Sequence, residues 1–200
     1  MKLNIILFPD FETLDVFGPV EIFGKQTGYS LHYYSLQGGI ITSSQGTQVV
    51  TEQLNTDDIE GIILIPGGQG TRTLVSNEVF IDRLKIISEK SQYCLTVCTG
   101  SALLAKTGLL KMRKATTNKN AFHWVMSQDL EVIWIKKARW VRDGKFYTSS
   151  GVSAGMDMSL GFIADQFGID SANEIARKIE YLWNSDQETD PFACTDTELQ

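Results

Sequence analysis

Continuous apolar runs alternate with apolar positions at helical spacing along the first half of this 200-residue chain, and the alternation predicts its architecture. Residues 3–8 form a short apolar run closed by Pro9-Asp10, the pattern of a strand buried on both faces. Leu14, Phe17, Val20, Ile22 and Phe23 follow at roughly helical spacing up to a stop at Gly28, with Pro19 either in the first turn or at a kink. Residues 30–35 read as a strand, and residues 40–51 as a hairpin broken at 43–46. Residues 61–65 are the clearest buried strand and lead into the glycine-rich string Pro66-Gly67-Gly68-Gln69-Gly70-Thr71. Phe80, Leu84 and Ile87 mark a helix over about 77–90, and residues 93–97 form the next strand. Such a succession implies an α/β fold, a mostly parallel central sheet with helices on both faces.

The second half is more broken. A brief strand is expected at 115–117, then a helix N-capped by Asn118 that carries Ala121, Phe122, Val125 and Met126. Strands are expected at 132–135, 139–141 and 146–149, the last two joined by a tight Asp143-Gly144 turn. Met156, Leu160, Ile163, Ala164 and Phe167 mark a helix stopped at Gly168, and Ser171-Ala172-Asn173-Glu174 reads as a capping box opening a final helix through Ile175, Ile179 and Leu182. From Ser185 the chain turns polar. The expected organisation is one domain, residues 1–184, with a loose polar tail at 185–200.

Composition narrows the function classes. A net charge of −6, with no Lys/Arg block beyond Lys111-Met112-Arg113-Lys114, argues against a nucleic-acid partner. Cys94, Cys98 and Cys194 form neither an even disulfide framework nor a C-x-x-C pair, which points to a reducing, cytoplasmic setting. With only His32 and His123 besides, no metal site is expected. The apolar start is too short for a signal peptide, and no run approaches a membrane span. The glycine string lacks both the third glycine of a dinucleotide fingerprint and a following Gly-Lys-Ser/Thr, so no nucleotide cofactor is expected.

The strongest chemical signal is Leu95-Thr96-Val97-Cys98-Thr99-Gly100-Ser101, where strand gives way to helix within about one residue. That turn is a nucleophile elbow in which Thr96 replaces the usual first glycine. A thiol beside the unpaired N–H groups of a first helical turn is expected to lean toward thiolate, the nucleophilic form. Ligands of open parallel sheets bind beyond the carboxyl ends of the strands, near a switch in strand order. That rule gathers Asp15, the Gly67-Gly68 loop, Cys98 and the turn at 149–153. Cys98 is the candidate nucleophile and Asp15 the candidate proton carrier. The Gly68 and Thr99 amides are candidate oxyanion donors. His32 and His123 fall away from the elbow, so no Cys-His pair is expected.

Phe8-Pro9-x5-Leu14-Asp15-x3-Pro19-x-Glu21, Ile65-Pro66-Gly67-Gly68, Val97-Cys98-Thr99-Gly100 and Thr148-Ser149-Ser150-Gly151-Val152-Ser153-Ala154-Gly155 together resemble the ThiJ/PfpI superfamily, most closely its isocyanide hydratase branch. The resemblance covers residues 3 to about 193. It implies a flavodoxin-like three-layer sandwich shared with the class I glutamine amidotransferases, and a homodimer with its active sites near the interface. It assigns Cys98 as the elbow cysteine, Asp15 as the acid that hydrogen-bonds its sulfur, and Gly68 and Thr99 as the oxyanion-hole residues. Gly67, Asn118, Ser150 and Gly151 fall in the implied pocket. Two departures weaken a protease or glutaminase reading: Thr99 stands where the peptidase branch has a histidine, and Asn118 where several relatives place one. The expected activity is therefore cofactor-free hydration of a small electrophile, an isocyanide giving an N-substituted formamide. The alternatives are an amidase or peptidase, a glyoxalase-like enzyme, or a non-catalytic redox sensor built on Cys98. A ligand-sensing domain of a transcriptional regulator is a further alternative, disfavoured because no DNA-binding helices follow in this sequence.

Overall fold

The computed structural model describes residues 1–57 and 59–193. Ten strands and seven helices follow one another as β1 (Lys2–Leu7), α1 (Thr13–Lys25), β2 (Ser30–Ser35), β3 (Gly39–Thr42), β4 (Gln48–Gln53), β5 (Ile62–Ile65), α2 (Thr71–Leu74), α3 (Glu78–Lys90), β6 (Tyr93–Thr96), α4 (Gly100–Lys106), β7 (Lys114–Ala115), α5 (Phe122–Met126), β8 (Ile133–Trp134), β9 (Trp140–Asp143), β10 (Phe146–Ser149), α6 (Ala154–Phe167) and α7 (Ile169–Lys178). Eight strands form the central sheet in the order β3-β4-β2-β1-β5-β6-β10-β9. The run from β4 to β10 pairs in parallel, and only β3 and β9, at the two edges, are antiparallel. Helices α1, α6 and α7 pack together on one face, and α2, α3 and α4 on the other.

The central strands read as apolar runs because both of their faces are covered. Every residue of β5 is buried, and so are Leu3 and Ile5 to Leu7 of β1. Burying each such side chain stabilises the fold by about 1.5–3 kcal/mol. Helix α3 starts where the sequence places it, because the Asn77 side chain accepts a 3.0 Å hydrogen bond from the Phe80 N–H and so satisfies one of the free first-turn donors. Among the described residues no helix is long and apolar enough to cross a membrane.

Strand β1 has β2 on one side and β5 on the other, so the chain reverses its direction of travel across the sheet there. The crevice beyond the carboxyl ends of β1 and β5 is the switch point where such folds bind ligands. Two cross-links close it on one side: the Glu12 N–H donates to the Gly67 carbonyl at 2.9 Å, and the Gly70 N–H to the Asp10 carbonyl at 3.2 Å.

The alternatives at Pro19 are decided, and two expectations are corrected. Helix α1 begins at Thr13 and runs through Pro19. Proline brings no N–H for the Asp15 carbonyl one turn earlier, but the helix continues, and Asp15 lies in its first turn. No capping box opens α7: that helix starts at Ile169, directly after Gly168, the Ser171 hydroxyl donates back to the Phe167 carbonyl at 3.1 Å, and the helix ends at Lys178. The glycine at φ 92° lets the chain turn sharply between α6 and α7 without a linker.

The tail expected to be loose is anchored over its described part. Asp190 is buried and ion-pairs with Arg139 at 3.3 Å and Lys119 at 3.8 Å, while Arg139 also holds Asp157 at 2.7 Å. Backbone bonds from Arg139 to the Gln187 carbonyl and from Asp190 to the Lys137 carbonyl complete the attachment. Hydropathy cannot report this docking, because the anchor is a buried charge pair rather than an apolar face. Cys194 lies outside the described residues.

Candidate active site

Cys98 sits one turn beyond β6, and its backbone takes φ 56°, in the left-handed region. For a residue with a side chain that conformation costs roughly 1–3 kcal/mol, and three hydrogen bonds hold it. The Cys98 N–H donates to the Ser150 carbonyl at 3.2 Å, and the Cys98 carbonyl accepts from the Thr117 hydroxyl at 2.8 Å and the Ser101 hydroxyl at 3.1 Å. The sulfur is thereby lifted out of the sheet and pointed toward α1 and the β5 loop. It remains only 7% exposed.

Asp15 approaches from α1 with no solvent exposure. Its Oδ2 accepts the Gly67 N–H at 2.8 Å, and Oδ1 has no aligned partner among the described residues. Burial pushes its pKa from 3.8 up to about 8; the Gly67 N–H opposes the rise, the charge of Glu12 adds to it, and the Cys98 thiol opposes it weakly. The carboxyl is therefore protonated at neutral pH.

The Cys98 thiol is also pushed well above its ordinary value, first by burial and then by the Asp15 charge, with the Thr99 N–H, the Asn118 side chain and the Thr99 hydroxyl pulling back. This reverses the expected bias toward thiolate. Desolvation opposes the charged form of a buried thiol, and here it outweighs the N–H groups of the elbow. Cys98 and Asp15 form one coupled pair, in which loss of a proton from either makes the second loss harder.

The remaining predicted residues also converge. Asn118 accepts the Ala121 N–H at 3.0 Å through Oδ1, which leaves its Nδ2 for the sulfur. Gly151 covers Cys98 from the end of β10: a Cβ there would lie 2.4 Å from Asn118 Nδ2 and 2.7 Å from Cys98 Sγ. Ser150 supplies its carbonyl to the elbow, and its buried hydroxyl has no partner among the described residues. Gly68, at φ 126°, lets the β5 loop pass so close to the chain at Asp10 that a Cβ would stand 2.4 Å from its carbonyl oxygen.

The oxyanion donors differ from expectation. The Gly68 N–H donates to the Thr99 hydroxyl at 3.1 Å, and the Thr99 N–H is turned to the Cys98 sulfur. Both amides border the site, yet both are engaged. Thr71 joins them, donating to the Gly68 carbonyl at 2.7 Å and to the Thr99 hydroxyl at 3.1 Å.

Neither histidine is among the sulfur's hydrogen-bond partners: His32 sits on β2, bonded to the Ser30 hydroxyl, and His123 is exposed on α5. Among the described residues no group of three or more His, Cys, Asp or Glu is placed to hold a metal. A groove of about 740 Å³, lined by Leu14, Asn118, Lys119, Gly151, Val152 and Phe192 among others, adjoins the site through Asn118 and Gly151. One further contact, with no spacing signal in the sequence, joins the segments on either side of the site. Arg72 of α2 lays its guanidinium 3.4 Å from the centroid of the Trp124 ring of α5.

A doubly wound α/β sandwich with a cysteine elbow at its switch point defines the class. Within it, the DJ-1/PfpI family model matches residues 1–165, and the chain belongs to that family. It is similar to the isonitrile hydratase of Pseudomonas putida, 30% identical over 184 residues that cover 90% of this chain and 78% of that protein. It is also similar to the HTH-type transcriptional regulator GbdR of Pseudomonas aeruginosa, 28% identical over 90% of this chain and 50% of the regulator, so it spans about half of that protein's length. Among solved structures, a ThiJ/PfpI family protein from Pseudomonas syringae aligns with a TM-score of 0.79 at 26% identity, over 90% of this chain and 74% of the other. Drosophila melanogaster DJ-1beta aligns with a TM-score of 0.78 at 18% identity, over 91% and 98%, and shares the flavodoxin-like fold.

Proposed function

We propose that this chain hydrates an isocyanide to an N-substituted formamide, with Cys98 as the nucleophile and Asp15 as the proton relay. The observation that carries the reading is the pairing of a buried thiol with a buried, protonated carboxyl and no imidazole. The similarity to an isonitrile hydratase, isonitrile being another word for isocyanide, supports the substrate class.

The terminal carbon of an isocyanide accepts a nucleophile and a proton at the same atom. Cys98 Sγ bonds to that carbon while Asp15 passes the thiol proton to it, giving a thioimidate. Asn118 Nδ2 and the Thr99 N–H, both turned to the sulfur, stabilise it as charge develops there. Water then adds to the thioimidate carbon, and Asp15 takes a proton from the water as it gives one to the nitrogen. Collapse of that adduct breaks the C–S bond, releases the formamide and returns the proton to sulfur through Asp15. No amine leaves at any step, so the chemistry has no need of a histidine to protonate one. Gly67 fixes Oδ2 of Asp15 and leaves Oδ1 for this traffic.

The test is a turnover panel of isocyanide, peptide, glutamine and methylglyoxal with wild type and Cys98→Ala. Formamide production by wild type and none by Cys98→Ala is the expected result. Isocyanide turnover retained in Cys98→Ala overturns the mechanism, and turnover of peptide or methylglyoxal in place of isocyanide overturns the substrate. The similarity to a transcriptional regulator favours a second reading, a small-molecule-sensing domain; saturable isocyanide binding without turnover is its signature. The homodimer implied by the family belongs to the same proposal, and light scattering measures it directly.

A further inference from the structure

Arg72 is a cation that the hydration mechanism does not use. It follows Thr71, whose hydroxyl bonds to Thr99 beside the nucleophile. Trp124, on which it rests, belongs to the helix that follows Asn118, whose side chain holds the Cys98 sulfur. The stacked pair therefore spans the two segments that flank Cys98. Partial burial lowers the Arg72 pKa, and the negative charge of an ionised Cys98 raises it. No carboxylate among the described residues ion-pairs with Arg72, although the chain carries a net charge of −6.

A guanidinium flat on an indole has its face occupied and its N–H edges free, and those edges suit a carboxylate. The stack fixes the fork in advance, so little side-chain freedom is lost when an anion docks. A bracing role alone would be served as well by an arginine paired to an acid, and Arg72 has none.

We propose that Arg72, braced by Trp124, recognises an anionic group on the substrate and so selects carboxylate-bearing molecules at Cys98. The identity of that substrate as an anionic isocyanide rests on the hydratase reading; the preference for anions does not.

Alkylation of Cys98 separates the two. The same thiolate displaces iodide from iodoacetate and from iodoacetamide, which differ by one charge, so their rate ratio at Cys98, read by peptide mass spectrometry, cancels any change in thiol ionisation or access. The ratio is expected to fall about tenfold in Arg72→Gln, the loss of roughly one charge-assisted hydrogen bond. It should fall less in Arg72→Lys, which keeps the charge, and also in Trp124→Leu, which keeps the arginine but frees it. A ratio within twofold of wild type in Arg72→Gln overturns the proposal, because a residue that only braces the fold changes both rates alike. In turnover, the preference for isocyanoacetate over isocyanoacetamide, as a ratio of kcat/KM, should fall by the same factor. If wild type turns over neither isocyanide but the alkylation ratio falls, the anion site stands and the hydratase reading fails. If both isocyanides turn over and neither ratio moves, the hydratase reading stands and the anion site fails.

Discussion

Asp15→Asn is expected to stabilise this protein in a way that depends on pH. In the folded chain the carboxyl keeps its proton up to about pH 8, whereas in the unfolded chain it ionises near 3.8. Between those values unfolding releases a proton, so raising the pH favours unfolding. The stability associated with Asp15 is fully present below pH 3.8 and is lost progressively as pH climbs through 8. Each pH unit in that window costs about 1.4 kcal/mol, which amounts to about 4 kcal/mol at pH 7 and about 6 kcal/mol above pH 8. Asparagine has no proton to lose, and its Oδ1 can accept the Gly67 N–H that Asp15 Oδ2 accepts now. The difference in unfolding free energy, variant minus wild type, should thus rise from near zero at pH 4 and level off above pH 8. At pH 7 it corresponds to roughly 10 °C in Tm for a chain of this length. Urea denaturation of both proteins from pH 4 to 9 measures the difference, and subtraction removes every other group that titrates alike in the two. A poorly seated amide would shift the whole curve without changing its slope. A difference that stays flat with pH would mean that Asp15 is already ionised in the folded state.

The same variant should lower the Cys98 pKa, since the thiol loses the carboxylate charge that helps to push it up; the pH dependence of iodoacetamide labelling at Cys98 reports the shift, and an unchanged profile counts against coupling of the pair. Gly151→Ala places a Cβ 2.7 Å from Cys98 Sγ and 2.4 Å from Asn118 Nδ2, and the resulting displacement should reduce formamide production about 100-fold while circular dichroism still shows a folded chain. Asp190→Ala removes one of the two carboxylates that neutralise buried Arg139 and should cost about 3–5 kcal/mol in urea denaturation; a loss under 1 kcal/mol would mean that the tail anchor contributes little.

How much of this was legible in the sequence depends on which force built each part. Burial on both faces writes itself as apolar runs, so β1, β5 and β6 and the parallel character of the sheet could be read directly. The converging site followed from topology: once the strand ends were known, the switch-point rule gathered Asp15, Gly67, Gly68, Cys98 and Gly151 into one place. Solvation depth was not legible, and it decides the chemistry. The N–H groups at the elbow were visible and argued for a thiolate, but the desolvation that overrules them comes from α1 and the β10 turn closing over the sulfur. Arg72 and Trp124 were hidden for a related reason, being 52 residues apart and joined only by a ring contact. The neutral state of Cys98 also suits the chemistry of the site. A free thiolate beside an ionised Asp15 would hold no proton for the carbon it attacks, whereas the neutral pair created by burial presents sulfur and proton together. The burial that destabilises the ionised fold above pH 4 is thus the same burial that equips the pair for addition of S–H across one carbon. Removing the carboxyl should therefore separate the two effects, raising stability at pH 7 and abolishing turnover in a single variant.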